Sequence, residues 1–141
     1  MALKVRLAAV TPTEAVTRGI RIRVTPQYLE DQSSPEESEF FWAYTIDIAN
    51  ESEETVQLRA RVWQITDGAG QTQEVRGPGV VGETPVIQPG SSFSYTSGCP
   101  LHTPSGIMVG SYQMTDAKGE LFDVAIPAFS LDSPFVMRSL N

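Results

Sequence analysis

The sequence predicts an all-β fold, an antiparallel β-sandwich of the immunoglobulin-like or fibronectin type III-like kind with about seven or more strands. Apolar and polar side chains alternate with a period of two along most of the chain, turn-forming residues recur at a spacing of about 8–12 residues, and helical periodicity is scarce. The chain has a single cysteine, so the paired cysteines of antibody domains are missing and the fibronectin-like variant is favoured.

The 141 residues fit one domain, and 40% of them are hydrophobic, which is enough for a packed core. We expect this single domain to span residues 1–141. We place the sandwich core at about residues 16–129 and a C-terminal tail at residues 130–141.

The first part of the chain contains one helix candidate and two strands. Residues 13–18 form the short helix candidate. Residues 20–25 alternate between apolar and polar side chains, and Pro26 marks the end or an edge of this strand because proline lacks a backbone donor. The polar residues 30–39 are expected to form a mobile loop, and Phe40–Asn50 has the strongest alternation in the chain.

The strand that starts at Val56 is predicted to be irregular. Apolar residues hold alternate positions as far as Val62, but Ile65 is out of phase. A bulge near Trp63 and Gln64 would explain the slip, and this register turns Trp63 outwards. The remaining elements are a turn at residues 67–70, a polar edge strand at 71–76, a glycine- and proline-rich connection at 77–90, strands at 91–97, 107–115 and 120–126, and a loop at 98–106.

The charge balance excludes several classes of partner. The chain has 10 Lys and Arg against 17 Asp and Glu, a formal net charge of −7, which argues against nucleic-acid binding and against a polybasic membrane contact. No apolar run approaches the length of about 18 residues that a membrane-spanning helix needs. The N-terminal apolar stretches are too short for a secretory signal, so we expect a cytoplasmic protein.

The second half of the chain contains a series of distinctive motifs. They are Trp63-Gln64-Ile65-Thr66-Asp67-Gly68, the run 74–83, Ile87-Gln88-Pro89-Gly90, the run 93–98 and Pro100-Leu101-His102-Thr103-Pro104. With these motifs the chain resembles a known bacterial family, the ApaG (CorD) family, and the similarity extends from about Val16 to Phe129.

The resemblance implies a fibronectin type III-like sandwich, in agreement with the strand pattern. It associates the chain with cobalt tolerance and magnesium efflux, whereas the family's biochemical activity is not established. Similar domains in eukaryotic multidomain proteins look like protein-interaction modules. We therefore expect a non-enzymatic module that binds an unidentified protein partner. The alternative is an accessory protein that binds a phosphate compound, a nucleotide or a divalent cation.

The glycines Gly77, Gly79 and Gly82 match the spacing of a dinucleotide-binding loop. That loop normally precedes a helix in a βαβ unit, and no such unit is visible here. A loop that needs glycine for its backbone conformation is the favoured interpretation. Weak anion binding by its backbone amides, with Arg76 as the nearest side-chain donor, is the alternative.

Metal or cofactor binding is not predicted. Cys99 and His102 lie three residues apart, but two ligands are too few for zinc. The interpretation favoured for Cys99 is a partly buried thiol. Acidic residues cluster at 30–39 and 51–54, where a solvated surface is the simpler interpretation than a cation site.

Four arginines lie on predicted outward strand positions, and two aromatic residues share that orientation. Two of these arginines lie in the strand at residues 20–25 and two in the strand that starts at Val56. If these two strands are neighbours, the four arginines form a basic stripe for an acidic partner, and otherwise they pair with nearby carboxylates. Arg59, Arg61 and Trp63 are the predicted interface residues. Self-association through the sheet edge at residues 71–76 is a further possibility. The residues concerned are Arg21, Arg23, Arg59 and Arg61, with Phe41 and Trp63.

Overall fold

The computed structural model describes residues 12–135, and this part of the chain is almost entirely β-structure. Two short 3-10 turns, Glu30–Gln32 and Pro35–Glu37, lie in the segment expected to be a loop. The strands are β1 (Thr13–Thr17), β2 (Ile20–Tyr28), β3 (Phe40–Asn50), β4 (Val56–Asp67), β5 (Thr72–Pro78), β6 (Val86–Ile87), β7 (Ser92–Leu101), β8 (Ser105–Thr115) and β9 (Leu121–Asp132).

These strands form two antiparallel sheets. The first sheet has the order β1-β2-β3-β7, and the second has the order β5-β4-β8-β9, with β6 also paired to β4. The inner faces of the two sheets supply one continuous hydrophobic core. The predicted antiparallel sandwich is therefore confirmed. No helix within residues 12–135 has the length and apolar character needed to cross a membrane.

Strand β3 is the centre of the core, as its alternation predicts. Trp42 and Ile46 are fully buried, and the Trp42 indole donates a hydrogen bond to the carbonyl of Asp132 at 2.8 Å. Tyr44 packs against Trp63 of the second sheet, with ring centroids 5.5 Å apart. Aromatic contacts of this kind hold the two sheets together.

The helix predicted at residues 13–18 is wrong, because this segment is strand β1. It forms a hairpin with β2 in the register Thr13↔Val24 to Thr17↔Ile20. The two turn residues, Arg18 and Gly19, have φ of 49° and 80°, which matches the turn that best fits the twist of two antiparallel strands. Six residues are too few for a stable isolated helix, so the pairing with β2 decides the structure.

The bulge in β4 lies earlier than the sequence predicts. The pairing of β4 with β8 shifts between Leu58 and Ala60, not at Trp63 and Gln64. After this shift, Trp63 and Ile65 face the core. Trp63 has 2% of its surface exposed, so its predicted outward orientation is wrong.

Two other boundaries differ from the prediction. Strand β7 continues through residues 98–101, which were expected to be loop, and Cys99 lies in it with 3% exposure. Strand β9 extends to Asp132, three residues beyond the expected end of the core at Phe129. Leu131 is fully buried, so the start of the predicted tail belongs to the sandwich; residues 136–141 lie outside the described part.

Candidate functional site

A cleft of about 370 Å³ opens between the two sheets. Strands β3 and β7 form one wall, strand β4 forms the other, and the connection after β5 covers one end. Its volume falls at the lower end of the range of about 300–1,000 Å³ typical of ligand sites. The residues that line it are Tyr44, Arg61, Trp63, Pro78, Val80, Val81, Gly82, Tyr95 and Ser97.

Among the residues that the structure describes, Arg61 is the only charged one that lines the cleft. The bulge between Leu58 and Ala60 moves it to the inner side of β4 with Trp63. Its Nη1 donates to the carbonyl of Pro78 at 3.0 Å and to that of Gly79 at 2.8 Å. These two bonds anchor the connection after β5 to the guanidinium and hold the guanidinium in place.

No carboxylate within residues 12–135 lies within 4.0 Å of the Arg61 guanidinium, and the same is true of Arg59. The other described arginines, in contrast, each contact a carboxylate oxygen at 3.5 Å or less. Arg59 donates to the side chain of Gln57 at 2.9 Å and does not line the cleft. The cleft thus holds a positive charge without an ionic partner, in a chain of net charge −7.

The tyrosines of the cleft are neutral at physiological pH. Burial raises the pKa of Tyr44, although a hydrogen bond with Ser97 and the positive charge of Arg61 act in the opposite direction. Burial also raises the pKa of Tyr95, whose hydroxyl lies 2.6 Å from the Tyr112 hydroxyl. The phenols therefore keep their protons and carry no negative charge into the cleft.

The glycine motif forms a β-hairpin turn. Val80 and Glu83 exchange backbone hydrogen bonds, each of 2.8 Å, across the two residues between them. Those residues, Val81 and Gly82, both have positive φ, at 43° and 80°. This is the conformation of a two-residue hairpin turn, which glycine accommodates without strain.

Gly77 and Gly79 must each lack a side chain, for different structural reasons. A Cβ at Gly77 would lie 3.0 Å from both Nη atoms of Arg61. Gly79 has a φ of 56°, and a Cβ there would overlap the carbonyl oxygen of Glu83. The amides of Gly79, Val80 and Glu83 donate to backbone carbonyls, so they are not free to cradle a phosphate. This favours the architectural interpretation, while anion binding at Gly77, Gly79 and Gly82 stays a prediction.

Val81 is strained at the tip of this hairpin. A β-branched residue with φ of 43° is a conformational outlier, and Val81 has 53% of its surface exposed. Such strain costs about 1–3 kcal/mol and concentrates at functional sites. Val81 also lines the cleft, next to Gly82.

The predicted arginine stripe does not form. Arg21 and Arg23 lie on β2 in the first sheet, whereas Arg59 and Arg61 lie on β4 in the second. Arg21 contacts Glu14 at 2.9 Å and Glu51 at 3.0 Å. Arg23 contacts Glu14 at 2.7 Å. The hydrogen bond from Arg23 lowers the pKa of Glu14, which agrees with the alternative of simple cross-strand pairing.

The predicted aromatic anchors also have structural roles. Trp63 packs between Tyr44 and Phe129, with ring centroids 5.5 and 5.9 Å away. Phe41 is half-buried on the outer face of the first sheet, where Gly98 leaves room for its ring. Trp63 thus forms the floor of the cleft and is too buried to act as a surface anchor.

Cys99 and His102 do not combine into a site. Cys99 faces the core, while His102 is exposed with its Nδ1 3.2 Å from the carbonyl of Ser38. Within residues 12–135, no three His, Cys, Asp or Glu side chains come together in a way that could hold a metal ion. The acidic residues predicted to be a solvated surface form no such group either.

Cys99 is expected to resist alkylation in the folded protein. Burial raises its pKa to about 11, so at pH 8 only about one thiol in a thousand is the reactive thiolate. Iodoacetamide labelling at pH 8, followed by mass spectrometry, should be at least about 100-fold slower than labelling in concentrated urea. Because the chain has a single cysteine, the label reports this thiol alone. Equal rates in both conditions would contradict the burial of Cys99.

Sequence reasoning missed the cleft residues on β3 and β7, which are Tyr44, Tyr95 and Ser97, and the hairpin residues Pro78, Val80 and Val81. Alternation places Tyr44 and Tyr95 on the inner faces, and Ser97 follows Tyr95 in the same phase. No local pattern shows that the sandwich opens at these positions. The predicted register of β4 turns Arg61 outwards, so it gave no signal of an arginine beside these side chains.

Comparison with known proteins gives the family. The model of the ApaG domain matches residues 30–116, a range that includes every residue of the cleft. The chain belongs to the ApaG family. A protein ApaG from Brucella anthropi is 65% identical over 127 residues, which is 90% of this chain and 98% of that protein. A protein ApaG from Mesorhizobium japonicum is 61% identical over the same shares.

A solved structure supports the ApaG fold independently. A protein from Bordetella pertussis described as ApaA superposes with a TM-score of 0.80 at 43% identity, over 89% of this chain and 98% of that chain. The resemblance to the ApaG family on sequence motifs is therefore confirmed, and the sandwich is shared by an ApaG relative of known structure.

Proposed function

We propose that this ApaG-family chain is a non-catalytic binding module that takes an acidic segment of a protein partner into the cleft around Arg61. One observation carries the proposal: the guanidinium of Arg61 lines the cleft and has no carboxylate partner within residues 12–135. A guanidinium binds a carboxylate through two parallel hydrogen bonds, which makes an Asp or Glu side chain its natural ligand.

The rest of the cleft fits a carboxylate. Among the described residues, the lining contains no acidic side chain that would repel one, and Tyr44 and Tyr95 remain neutral. The net charge of −7 does not attract an acidic partner over long distances, so recognition depends on local contact with Arg61. Such binding weakens with added salt less steeply than a surface ion pair because the contact is half-buried.

The lining also supports a binding role over a catalytic one. Within residues 12–135, it contains no His, Asp, Glu, Lys or Cys that could act as a general acid, general base or thiol nucleophile. Ser97 has no such base beside it in the lining. A divalent cation would find a positive guanidinium and no carboxylate here.

A small anion such as inorganic phosphate is the second candidate ligand. The Arg61 guanidinium can bind phosphate oxygens through two hydrogen bonds, as it would bind a carboxylate. The hairpin between Val80 and Glu83 counts against it, because the amides of Gly79, Val80 and Glu83 already donate to backbone carbonyls and are not available to a phosphate. A direct comparison of the two anions decides between them.

The decisive test uses two matched arginine variants. We define the acidic probe as a short acetylated and amidated peptide of alternating threonine and valine with one central glutamate, and the amide probe as its glutamine counterpart. R61Q is expected to lower the affinity for the acidic probe by about tenfold or more, measured by isothermal titration or by NMR shifts. R59Q removes the same charge from the same strand outside the cleft and should leave the affinity within about twofold.

The controls separate charge from folding. The wild-type protein should prefer the acidic probe over the amide probe by about tenfold or more. Unfolding curves of R61Q should show a modest loss of about 1–2 kcal/mol, because two bonds to backbone carbonyls are removed. Equal binding of both probes, or an equal loss in R59Q, would overturn the proposal. Saturable phosphate binding without probe binding would support the second candidate instead.

A further inference from the structure

The outer edge of strand β7 has no partner strand within residues 12–135. Strand β7 pairs with β3 along one side from Ser92 to Leu101, and it is the last strand of the first sheet. An unpaired edge presents a row of backbone donors and acceptors that can pair with another extended chain. This edge borders the cleft, since Tyr95 and Ser97 line it.

The pairing pattern identifies the open backbone groups. In an antiparallel ladder, alternate residues bond to the neighbour on one side, and the residues between them face the other side. The bond from the Asn50 amide to the Ser91 carbonyl, at 2.9 Å, sets the phase, and the bond from the Leu29 amide to the Phe41 carbonyl agrees with it. The amides and carbonyls of Ser94, Thr96 and Gly98 therefore face the open edge.

Pro100 fits the same assignment. It follows the phase of Thr96 and Gly98, so its nitrogen lies on the open side, where the missing N–H breaks no bond to β3. The open segment that remains between the proline and the turn before Ser92 is long enough for several residues of an added strand.

Strand β7 has little of the usual protection of an edge, since Pro100 near its end is the one protective residue that faces the open side. None of its ten residues is charged, and its pairing with β3 runs without a bulge. Strand β5, one of the two edge strands of the second sheet, differs because it carries exposed Glu74 and Arg76. Natural proteins use charge, bulges and proline to keep edge strands from pairing with other chains. The open edge of β7 has neither charge nor bulge, and it lies beside the unpaired Arg61. This edge is therefore suited to pairing with another extended chain.

We propose that an acidic protein segment binds as an additional β-strand on the open edge of β7 and places a carboxylate on Arg61. This inference rests on the proposed function and adds the conformation of the bound segment. Neighbouring strands lie about 4.8 Å apart, so inward side chains of an added strand would lie beside Tyr95 and Ser97. A glutamate at such a position enters the cleft that Arg61 lines.

The chemistry of the edge favours a foreign acidic segment over a second copy paired through β7. A second β7 strand would bring no carboxylate, because that strand is uncharged, and Arg61 would stay without an ionic partner. Self-association through the polar edge of β5 remains a separate prediction and does not involve these groups.

Hydrogen exchange gives a direct test. In the free protein, the amides of Ser94, Thr96 and Gly98 should exchange fast, while those of Tyr95 and Ser97 are protected by β3. Saturation with the acidic probe should slow exchange at the first three by about tenfold or more, measured by NMR. Methylation of the probe's backbone nitrogens, one at a time, should lower the affinity at alternate positions only. The sensitive positions are those whose amides face β7.

A protein variant tests the same contact from the other side. T96P removes one open amide, as Pro100 does naturally, and should lower the affinity for the acidic probe by about tenfold. T96V is the matched control, since both variants lose the 2.9 Å contact with the Thr45 hydroxyl but T96V keeps the amide. T96V should bind the probe within about twofold of wild type.

The outcomes distinguish this inference from the proposed function. If the acidic probe binds through Arg61 but methylation shows no alternation and the three amides gain no protection, the added strand is wrong and the binding module stands. If the probe does not bind, or binds without Arg61, the proposed function fails as well. A peptide-free dimer that protects the same three amides, detected by sedimentation, would assign the edge to a second copy and overturn the inference. The methylation result does not depend on whether T96P folds.

Discussion

Replacement of Trp63 by alanine is expected to destabilise the domain by about 3–5 kcal/mol, the usual cost of removing a large buried aromatic residue. Trp63 has 2% of its surface exposed and contacts Tyr44 and Phe129, so alanine would leave a cavity between the sheets. Gly110 adds to this cost, because it faces Trp63 across the β4–β8 ladder and has no side chain to fill the gap.

Urea unfolding followed by circular dichroism measures this effect. The urea concentration at the midpoint of unfolding should fall sharply. The dependence of the unfolding free energy on urea concentration should change little. W63F is the matched control, since it keeps an aromatic ring at the centre of the contact and should lose less than half as much stability. A stable W63A protein that failed to bind a partner would instead support the surface role first predicted from the sequence.

The contrast between β3 and Trp63 shows what a sequence can predict. The alternation of Phe40–Asn50 continues without interruption, so its orientation could be predicted residue by residue. The orientation of Trp63 depends on where the bulge falls in β4. The pairing with β8 shifts between Leu58 and Ala60, and the carbonyl of Arg59 accepts a bond from Gly79, twenty residues away along the chain. Local hydrophobicity carries no information about such a distant partner.

The candidate site was predictable only in part. Arg61 could be singled out as a binding residue from its type and charge, but its position beside Tyr44 and Tyr95 is a product of tertiary structure. The strand β1 shows the same limit, because its short segment takes its conformation from β2. The features that the sequence did not predict are thus those that depend on pairing between distant segments of the chain.

The glycine motif offers the second large effect. G79A is expected to lower stability by about 2–4 kcal/mol, because alanine disfavours a left-handed backbone and its Cβ would overlap a carbonyl oxygen. The φ of Gly79 is 56°, and the overlapping oxygen belongs to the backbone of Glu83, which cannot rotate away. The hairpin would have to move, and with it the Gly79 carbonyl that holds Arg61.

G82A is the matched control for G79A. Gly82 also has positive φ, at 80°, but a Cβ there would meet no atom within 4 Å. Alanine at this position should therefore cost only about 1 kcal/mol of conformational strain. Urea unfolding of both variants separates the steric cost from the conformational one. G79A should in addition weaken binding of the acidic probe by shifting Arg61.

The pair of glycine variants also decides what the motif is for. If packing of the hairpin explains the glycines, the two variants must differ in stability, and neither should change the response to phosphate or ATP, followed by NMR shifts. If the backbone amides form an anion site, G82A should abolish a saturable phosphate response while leaving stability nearly intact, since its Cβ would intrude only on the space a ligand occupies. That outcome would assign ligand binding to the backbone amides of the hairpin instead of to the guanidinium of Arg61, which anchors the hairpin.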